Sequence, residues 1–232
     1  MNPVWNQISG SHLSQDQLSK IDQYLDLLIE KNKVLNLTRI SDRADAEIKH
    51  VADALTLLRF LPLPPGEGRG EGTGGTGSAG TLTQTLSRME RGPIQLADVG
   101  AGGGIIGVII AIARPDISVT LIDSTKKKLD AVMAMVGEIG VTNIRAIHSR
   151  MEDLDEKYDI VTARAVAELD KLLGWCDKLM RRSSILLAMK GPKAAEEIAN
   201  VTAWNKKRWN LSSNAVDHPA LAGHVIVVGK HY

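Results

Sequence analysis

The sequence predicts an α/β protein with a mostly parallel seven-stranded sheet, an antiparallel edge strand and an N-terminal helical extension. Three observations lead to this prediction. From residue 94 onward, short apolar strand patterns alternate with helical patterns, which is typical of parallel strands joined by helical crossovers. A glycine-rich turn follows the first of these strands. The last two strand patterns have no clear helix between them, which suits an antiparallel pair.

Three segments follow from the composition along the chain. Residues 1–62 form the helical extension: Ser14 and Gln17 are placed as a capping box before one helix, and a second helix is expected over about 44–60. Residues 63–92 are expected to be a flexible insertion, because 8 of the 15 residues from position 66 to position 80 are glycine. Residues 93–232 are expected to form the sheet-containing domain, compact with the extension.

The domain divides into alternating elements. Strand patterns cover residues 94–99, 119–122, 144–147, 158–162, 185–189, 208–212 and 224–228. Helical patterns cover residues 105–113, 125–139 and 169–180.

Length and composition restrict the class of protein. The chain has 232 residues, 44% apolar and 24% charged, which suits one globular domain with an extension. The single cysteine, Cys176, excludes a disulfide framework and a cysteine-based zinc site, and it fits a reducing compartment. No stretch approaches the roughly 20 apolar residues that span a bilayer, and the N-terminus has no signal-peptide pattern. We expect a cytoplasmic protein, by default a monomer, with no metal site.

The strongest chemical signal is the glycine-rich turn after the first strand. Glycines at this position let the backbone approach a ligand at a helix N-terminus. Gly102, Gly104 and Gly107 satisfy the G-x-G-x-x-G pattern of dinucleotide-binding proteins. Gly100, Gly102 and Gly104 equally satisfy the G-x-G-x-G loop of S-adenosylmethionine enzymes. The glycines alone therefore leave two ligand classes open.

Acidic residues at successive strand ends favour S-adenosylmethionine. Asp98 ends the first strand and suits a loop that grips an amino acid rather than a pyrophosphate. Asp123 ends the second strand, where a carboxylate can accept both ribose hydroxyls. Glu152 and Asp153 follow the third strand, where an adenine would lie. A dinucleotide enzyme does not need this third acidic position.

No catalytic acid or base is evident, so the catalytic residues stay unknown at this stage. The Asn/Asp-Pro-Pro-aromatic motif of amino-directed methylases is missing after the fourth strand, and Arg164 stands there instead. A cation at that place could hold a methionine carboxylate, a phosphate or a guanine edge, or could pair with a nearby carboxylate.

The C-terminal third is basic. Residues 170–232 carry 10 Lys or Arg against 5 Asp or Glu, whereas residues 93–169 carry 8 against 11. Such an excess is either a solvated surface or a footprint for phosphates. The cations singled out as phosphate contacts are Arg181, Arg182, Lys190, Lys193, Lys206, Lys207 and Arg208. The helical extension is expected to contact phosphates as well.

Motifs along nearly the whole chain resemble the ribosomal RNA small subunit methyltransferase G family, also called glucose-inhibited division protein B. The resemblance is carried by residues 96–107, 119–124, 148–152, 163–167 and 187–191, with Asn36-Leu37-Thr38 and His50-x-x-Asp53-x-Leu55 in the extension. It departs from the family at Ile105-Ile106, where Phe-Pro is usual, and in the glycine-rich insertion.

The resemblance implies a class I, Rossmann-like methyltransferase that uses S-adenosylmethionine to methylate guanine N7 in 16S rRNA. It implies that Gly100 and Ile105 line the methionine end, Met151 and Glu152 the adenine, and Arg164 the cofactor or substrate edge. Guanine N7 has a free lone pair and no proton, so this reaction needs alignment rather than a general base.

The cofactor-binding prediction comprises Asp98, Gly100, Gly102, Gly104, Ile105, Asp123, Met151, Glu152 and Arg164. Three alternatives stay open: a methyltransferase with a protein or small-molecule substrate, a nicotinamide dehydrogenase, and an inactive RNA-binding relic. The first of these predicts an acidic or apolar mouth to the site.

Overall fold

The computed structural model describes residues 4–10, 12–63 and 92–231. Apart from its two end residues, the predicted glycine-rich insertion lies outside this described part of the chain. Within that part, no helix is both long and apolar enough to cross a membrane.

The strands form one seven-stranded sheet in the order β3-β2-β1-β4-β5-β7-β6. The strands are β1 Ile94–Val99, β2 Ile117–Asp123, β3 Ile144–His148, β4 Tyr158–Arg164, β5 Met180–Lys190, β6 Trp209–Ala215 and β7 Val225–His231. Strands β1 to β5 are parallel, and β7 runs antiparallel to both β5 and β6. The predicted fold class is confirmed, with the antiparallel strand second from the edge and β6 at the edge itself.

Helices cover both faces of the sheet. They are α1 Val4–Ser9, α2 Gln15–Leu35, α3 (residues 43–60), α4 Ile105–Ala113, α5 Lys126–Glu138, α6 Leu169–Cys176, α7 Ala194–Ala199 and α8 Ala203–Lys206. Three short 3-10 turns lie at Met151–Asp153, Asp177–Leu179 and Pro219–Leu221. One face buries α2, α3, α4 and α5 in a common apolar core, and the other face buries α6.

Most element boundaries match the sequence pattern. Helix α4 covers the predicted residues, and α2 starts at the predicted capping box, with Ser14 accepting from the Gln17 backbone and Gln17 accepting from the Ser14 backbone. The helix expected over 169–180 ends earlier, because Met180 already opens β5. Helices α7 and α8, between β5 and β6, were not predicted.

Helix α3 is continuous but wound in three ways. It is α-helical over Arg43–Ala46 and Asp53–Leu55, π-helical over Glu47–Ala52 and 3-10-helical over Thr56–Phe60. π-Helical turns are rare and frequently lie at functional sites, because the wide turn displaces the side chains that follow it. This segment carries side chains that face the carboxyl edge of the sheet.

The two ends that flank residues 64–91 lie at the amino edge of the sheet. The carbonyl of Pro62 accepts a hydrogen bond from Arg114 Nη1 at 2.6 Å, and Arg114 precedes β2. Gly92 is exposed two residues before β1. This edge is opposite the carboxyl ends of the parallel strands, where ligands of such sheets bind.

Candidate active site

A glycine loop, residues 100–104, joins β1 to α4 at the carboxyl edge of the sheet. Gly100, Gly102 and Gly104 have φ angles of 65°, 54° and 74°, which side chains with a Cβ rarely adopt. A Cβ added at Gly100 would lie 2.6 Å from Val166. The loop therefore needs glycine for its backbone path and, at Gly100, for its close packing against Val166.

Asp98 lies buried directly beneath this loop. Its Oδ2 accepts from the Gly107 backbone at 3.0 Å, and its Oδ1 accepts from the Thr162 hydroxyl at 3.0 Å. Burial raises the pKa of Asp98 to about 6, against the opposing effect of these two hydrogen bonds. The side chain ties the loop, the helix and β4 together.

Asp123 ties the glycine loop to the end of β2. Its Oδ2 accepts from the Gly102 backbone at 2.8 Å, and its Oδ1 accepts from the Thr125 backbone at 2.8 Å. Beyond the end of β3, Met151 is buried and Glu152 is half-buried in a 3-10 turn. The three predicted positions therefore follow one another along the carboxyl edge of neighbouring strands.

A cavity of about 1210 Å³ opens beside the glycine loop. Of the predicted site residues, Asp98, Gly100, Gly102, Ile105 and Arg164 line it. The remaining four, Gly104, Asp123, Met151 and Glu152, do not line it. Gly104 is buried as the N-cap residue of α4. The others lie at the ends of β2 and β3, next to the loop.

Side chains from distant parts of the chain also line this cavity and are called here the facing wall: Thr38, His50, Asp53, Arg164 and His224. His224 Nδ1 lies 2.8 Å from Asp53 Oδ1. Arg164 Nη1 donates to the carbonyl of Lys49 at 3.1 Å and lies 3.5 Å from Asp53 Oδ2. His50 Nε2 lies 2.7 Å from the Thr38 hydroxyl.

Burial sets the charge of His50. The ring is 4% exposed, and desolvation, with the nearby Arg164 cation, lowers the pKa of His50 to about 4. His50 is therefore neutral near pH 7. Its Nδ1 is buried without a hydrogen-bond partner among the described residues.

The facing wall was largely missed by sequence reasoning. Arg164 was predicted to lie at the site. His50 and Asp53 were identified only as part of the family resemblance and were given no role. His224 was not singled out, since a lone histidine 171 residues from its carboxylate partner gives no local signal.

Helix α2 supports the glycine loop from behind. The buried hydroxyl of Tyr24 donates to the carbonyl of Gly103. Burial raises the pKa of Tyr24 well above its usual range, so the phenol stays a donor. The extension and the domain thus share one site.

Cations surround the mouth of the cavity. Lys33, Arg39 and Lys49, all exposed, come from the extension, and Lys128 comes from α5. Of these, Lys49 is paired with the exposed Asp45 at 2.8 Å. The carboxylates among the lining residues, Asp53 and Asp98, are both buried. The mouth is therefore basic.

Most of the C-terminal cations lie elsewhere. Arg181 and Arg182 are at the start of β5, and residues 206–208 immediately precede β6. Both strand starts are at the amino edge, away from the cavity. Lys190 is at the correct edge but donates to Glu197 at 2.6 Å and to the Ala167 carbonyl at 2.7 Å. Among the predicted phosphate contacts, the extension therefore supplies the better-placed ones.

Comparisons with known proteins show the family to which this chain belongs. A family model described as rRNA small subunit methyltransferase G matches residues 81–218. This chain belongs to that family. A Lactobacillus johnsonii ribosomal RNA small subunit methyltransferase G is 36% identical over 196 residues, covering 82% of this chain and 72% of that protein. The Sorangium cellulosum protein of the same name is 35% identical over 198 residues, covering 83% and 72%.

Solved structures support the fold of this methyltransferase G family member. MtNAS in complex with MTA and tNA matches with a TM-score of 0.56 at 12% identity, covering 90% of this chain and 71% of that one. A mutant of MtNAS in complex with S-adenosylmethionine matches with a TM-score of 0.54 at 11% identity, covering 93% and 76%. The predicted family, fold class and S-adenosylmethionine cofactor are confirmed.

The residues present fit S-adenosylmethionine. An added Cβ at Gly102 would meet only two backbone oxygens, at 3.9 Å, so this point of the loop is open to a ligand. The buried Asp98 lies under the loop, and Asp123 holds the loop at the end of β2. Replacement of the usual Phe-Pro by Ile105-Ile106 keeps an apolar side chain at the cavity, since Ile105 lines it and begins α4. The arrangement suits a ligand with a cationic amino-acid end.

Proposed function

We propose that this enzyme transfers the methyl group of S-adenosylmethionine to N7 of a guanosine in 16S rRNA, in the cytoplasm. The observation that carries the proposal is the basic mouth of a large cavity at the glycine loop. A protein or small-molecule substrate was expected to need an acidic or apolar mouth. Exposed lysine and arginine side chains instead suit RNA phosphates.

The size of the cavity supports a substrate that enters beside the cofactor. Small-molecule sites occupy about 300–1,000 Å³, and this cavity measures about 1210 Å³. An RNA base must leave its stack to reach an enzyme pocket, because the major groove of paired RNA is deep and narrow. The cavity has room for such an extruded base.

The chemistry of the lining residues supports N7 as the acceptor. When bound, S-adenosylmethionine supplies an electrophilic methyl group, which guanine N7 can take through its own lone pair. Asp53 and Asp98 are buried and hydrogen-bonded, so they hold the site together rather than remove a proton from a substrate. The cavity therefore matches a reaction that needs orientation and exclusion of water.

We assign the cofactor contacts by position. The Asp98 carboxylate would balance the α-amino group through the glycine loop, Asp123 would accept from the ribose, and Met151 with Glu152 would flank the adenine. Arg164, at the end of β4, would hold the carboxylate or orient the substrate.

The test is methylation of small ribosomal subunits that lack this modification, with labelled S-adenosylmethionine. The rRNA is then digested and the modified nucleoside identified by mass spectrometry. We expect 7-methylguanosine in 16S rRNA. Methyl transfer to another atom, or to protein alone, would reject the proposal. A calorimetric titration with S-adenosylmethionine and with NAD is the binding control, and only the first should bind.

A further inference from the structure

The hydrogen bond between His224 and Asp53 has a defined donor and acceptor. A carboxylate only accepts hydrogen bonds, so Nδ1 of His224 is the donor to Asp53 Oδ1 at 2.8 Å. The second ring nitrogen, Nε2, has no partner among the described residues, and the side chain is 36% exposed at the cavity. Neutral His224 would accept at Nε2, whereas the imidazolium form would donate there.

The surroundings of His224 favour the imidazolium form. Asp53 is 3% exposed, and its hydrogen bond raises the pKa of His224, while desolvation and the Arg164 cation oppose this. The other charged or titratable groups lining the same cavity near this pair are Lys49 and the neutral His50. When His224 is protonated, it and Asp53 are together neutral, so the pair then adds no net charge beside a base that becomes cationic on methylation.

We propose that His224 selects guanine by donating a hydrogen bond from Nε2 to O6 of the target base, with Asp53 as its positioning residue. The proposal rests on the proposed function. On the edge that carries N7, guanine presents the O6 acceptor, whereas adenine presents an N6 donor at that place. A donor beside N7 therefore forms a hydrogen bond with O6 of guanine. With adenine, the same donor would face the N6 donor and find no acceptor.

A side chain that donates one hydrogen bond to O6 suits recognition of guanine in this reaction better than an arginine does. A guanidinium that reads guanine in its usual bidentate way bonds both O6 and N7. That bond would occupy the N7 lone pair that has to attack the methyl group. In addition, Nη1 of Arg164 is already bound to the Lys49 carbonyl. His224 can read O6 and leave N7 free.

The composition of the cavity also favours recognition of the edge of the base. Among its lining residues, no phenyl, phenol or indole ring is available for stacking. Stacking on this cavity is left to imidazole and guanidinium groups, and hydrogen bonds at the edge distinguish one base from another.

The experiment compares full-length wild type, His224→Leu, His224→Gln and Asp53→Asn on unmodified small subunits. It measures kcat/KM against pH, with calorimetric S-adenosylmethionine affinity and thermal unfolding in parallel. His224→Leu should lose about 10- to 100-fold in kcat/KM, the size expected for one hydrogen bond from a charged donor. It should keep its cofactor affinity. His218→Leu, a histidine outside this cavity, is the matched control and should retain the wild-type rate.

The pH profiles separate a donor from a merely structural side chain. The wild-type rate should fall as pH rises through the pKa of His224, because Nε2 then becomes an acceptor. The amide of His224→Gln donates at every pH, so this variant should keep most of the activity and lose the falling limb. In Asp53→Asn, the falling limb should move to lower pH.

Two results would overturn the role of His224. One is a wild-type rate for His224→Leu. The other is equal loss of rate and of cofactor affinity in His224→Leu and His224→Gln. Failure of the proposed function would look different, since wild type itself would then form no 7-methylguanosine.

Discussion

Two parts of the cavity lining are built in opposite ways. The glycine loop is a run of five consecutive residues whose backbone forms the surface, held by Asp98 and Asp123. The facing wall is a set of side chains from the extension, the end of β4 and the start of β7, and they hold one another. A substitution in the glycine loop changes the backbone path and should therefore reduce stability. A substitution in the facing wall removes a single side chain and should reduce activity with little effect on stability.

The largest expected effect is on the backbone-built side. Gly104→Ala places a Cβ 2.6 Å from Val132 at a φ of 74°. Left-handed strain and overpacking together should cost about 2–5 kcal/mol of unfolding free energy. Gly140→Ala is the control, because its φ is 67° but no atom lies within 4 Å of the added Cβ, so it should cost about 1–2 kcal/mol. Denaturant unfolding measures both, and equal losses would contradict the packing argument.

On the facing wall, Arg164→Ala should reduce activity far more than stability. Arg164 is half-buried, with one nitrogen bound to a backbone carbonyl. We expect turnover on small subunits to fall about 10- to 100-fold, as for loss of one charged hydrogen bond. Arg164→Lys keeps the charge without the planar fork and should lie in between. Near-wild-type methylation by Arg164→Ala would remove this residue from the site.

The pH dependence of cofactor binding tests the loop side. The pKa of Asp98 is raised from 3.8 to about 6, so the folded protein holds a proton that the unfolded chain has lost between these values. The stability from protonated Asp98 is therefore lost as pH rises through this window, by up to about 3 kcal/mol. Conversely, affinity for the cationic amino group should increase from pH 5 to pH 7.

Asp98→Asn is the control for this prediction. It cannot ionise, so both trends should flatten in this variant. Calorimetry across the pH range measures the affinity, and thermal unfolding measures the stability. Unchanged slopes in Asp98→Asn would show that another group titrates.

The smallest expected effect concerns the contact between the extension and α4. Gln17 Nε2 donates to the carbonyls of Ile112 and Ala113 at 3.0 Å each, beside its role in the capping box. Gln17→Ala should cost about 1–3 kcal/mol. Ser14→Ala removes the cap and leaves these contacts, so it should cost about 1 kcal/mol. Equal losses of unfolding free energy in the two variants would show that the Gln17 side chain does not stabilise the contact between the extension and α4.

The difference between the two sides also explains what the sequence could predict. The glycine loop and helix α4 were predicted from residues 100–113, because strand, turn and helix follow each other locally. Helix α3 was predicted as helical, but its π-turn was not, since that winding depends on tertiary contacts. His224 reaches Asp53 only because β7 lies beside β5, and no local pattern records that neighbourhood. Helices of four to six residues such as α7 and α8 are too short for a periodic pattern to show.

The hydrogen bond from Arg114 to the Pro62 carbonyl has a practical consequence for handling this enzyme. It holds Pro62 at the amino edge of the sheet, opposite the carboxyl edge where the cavity opens. A fluorophore or an affinity tag attached at the exposed Leu63 would lie at the amino edge of the sheet, away from the cavity. This is the attachment site we would choose for immobilising the protein in a binding assay.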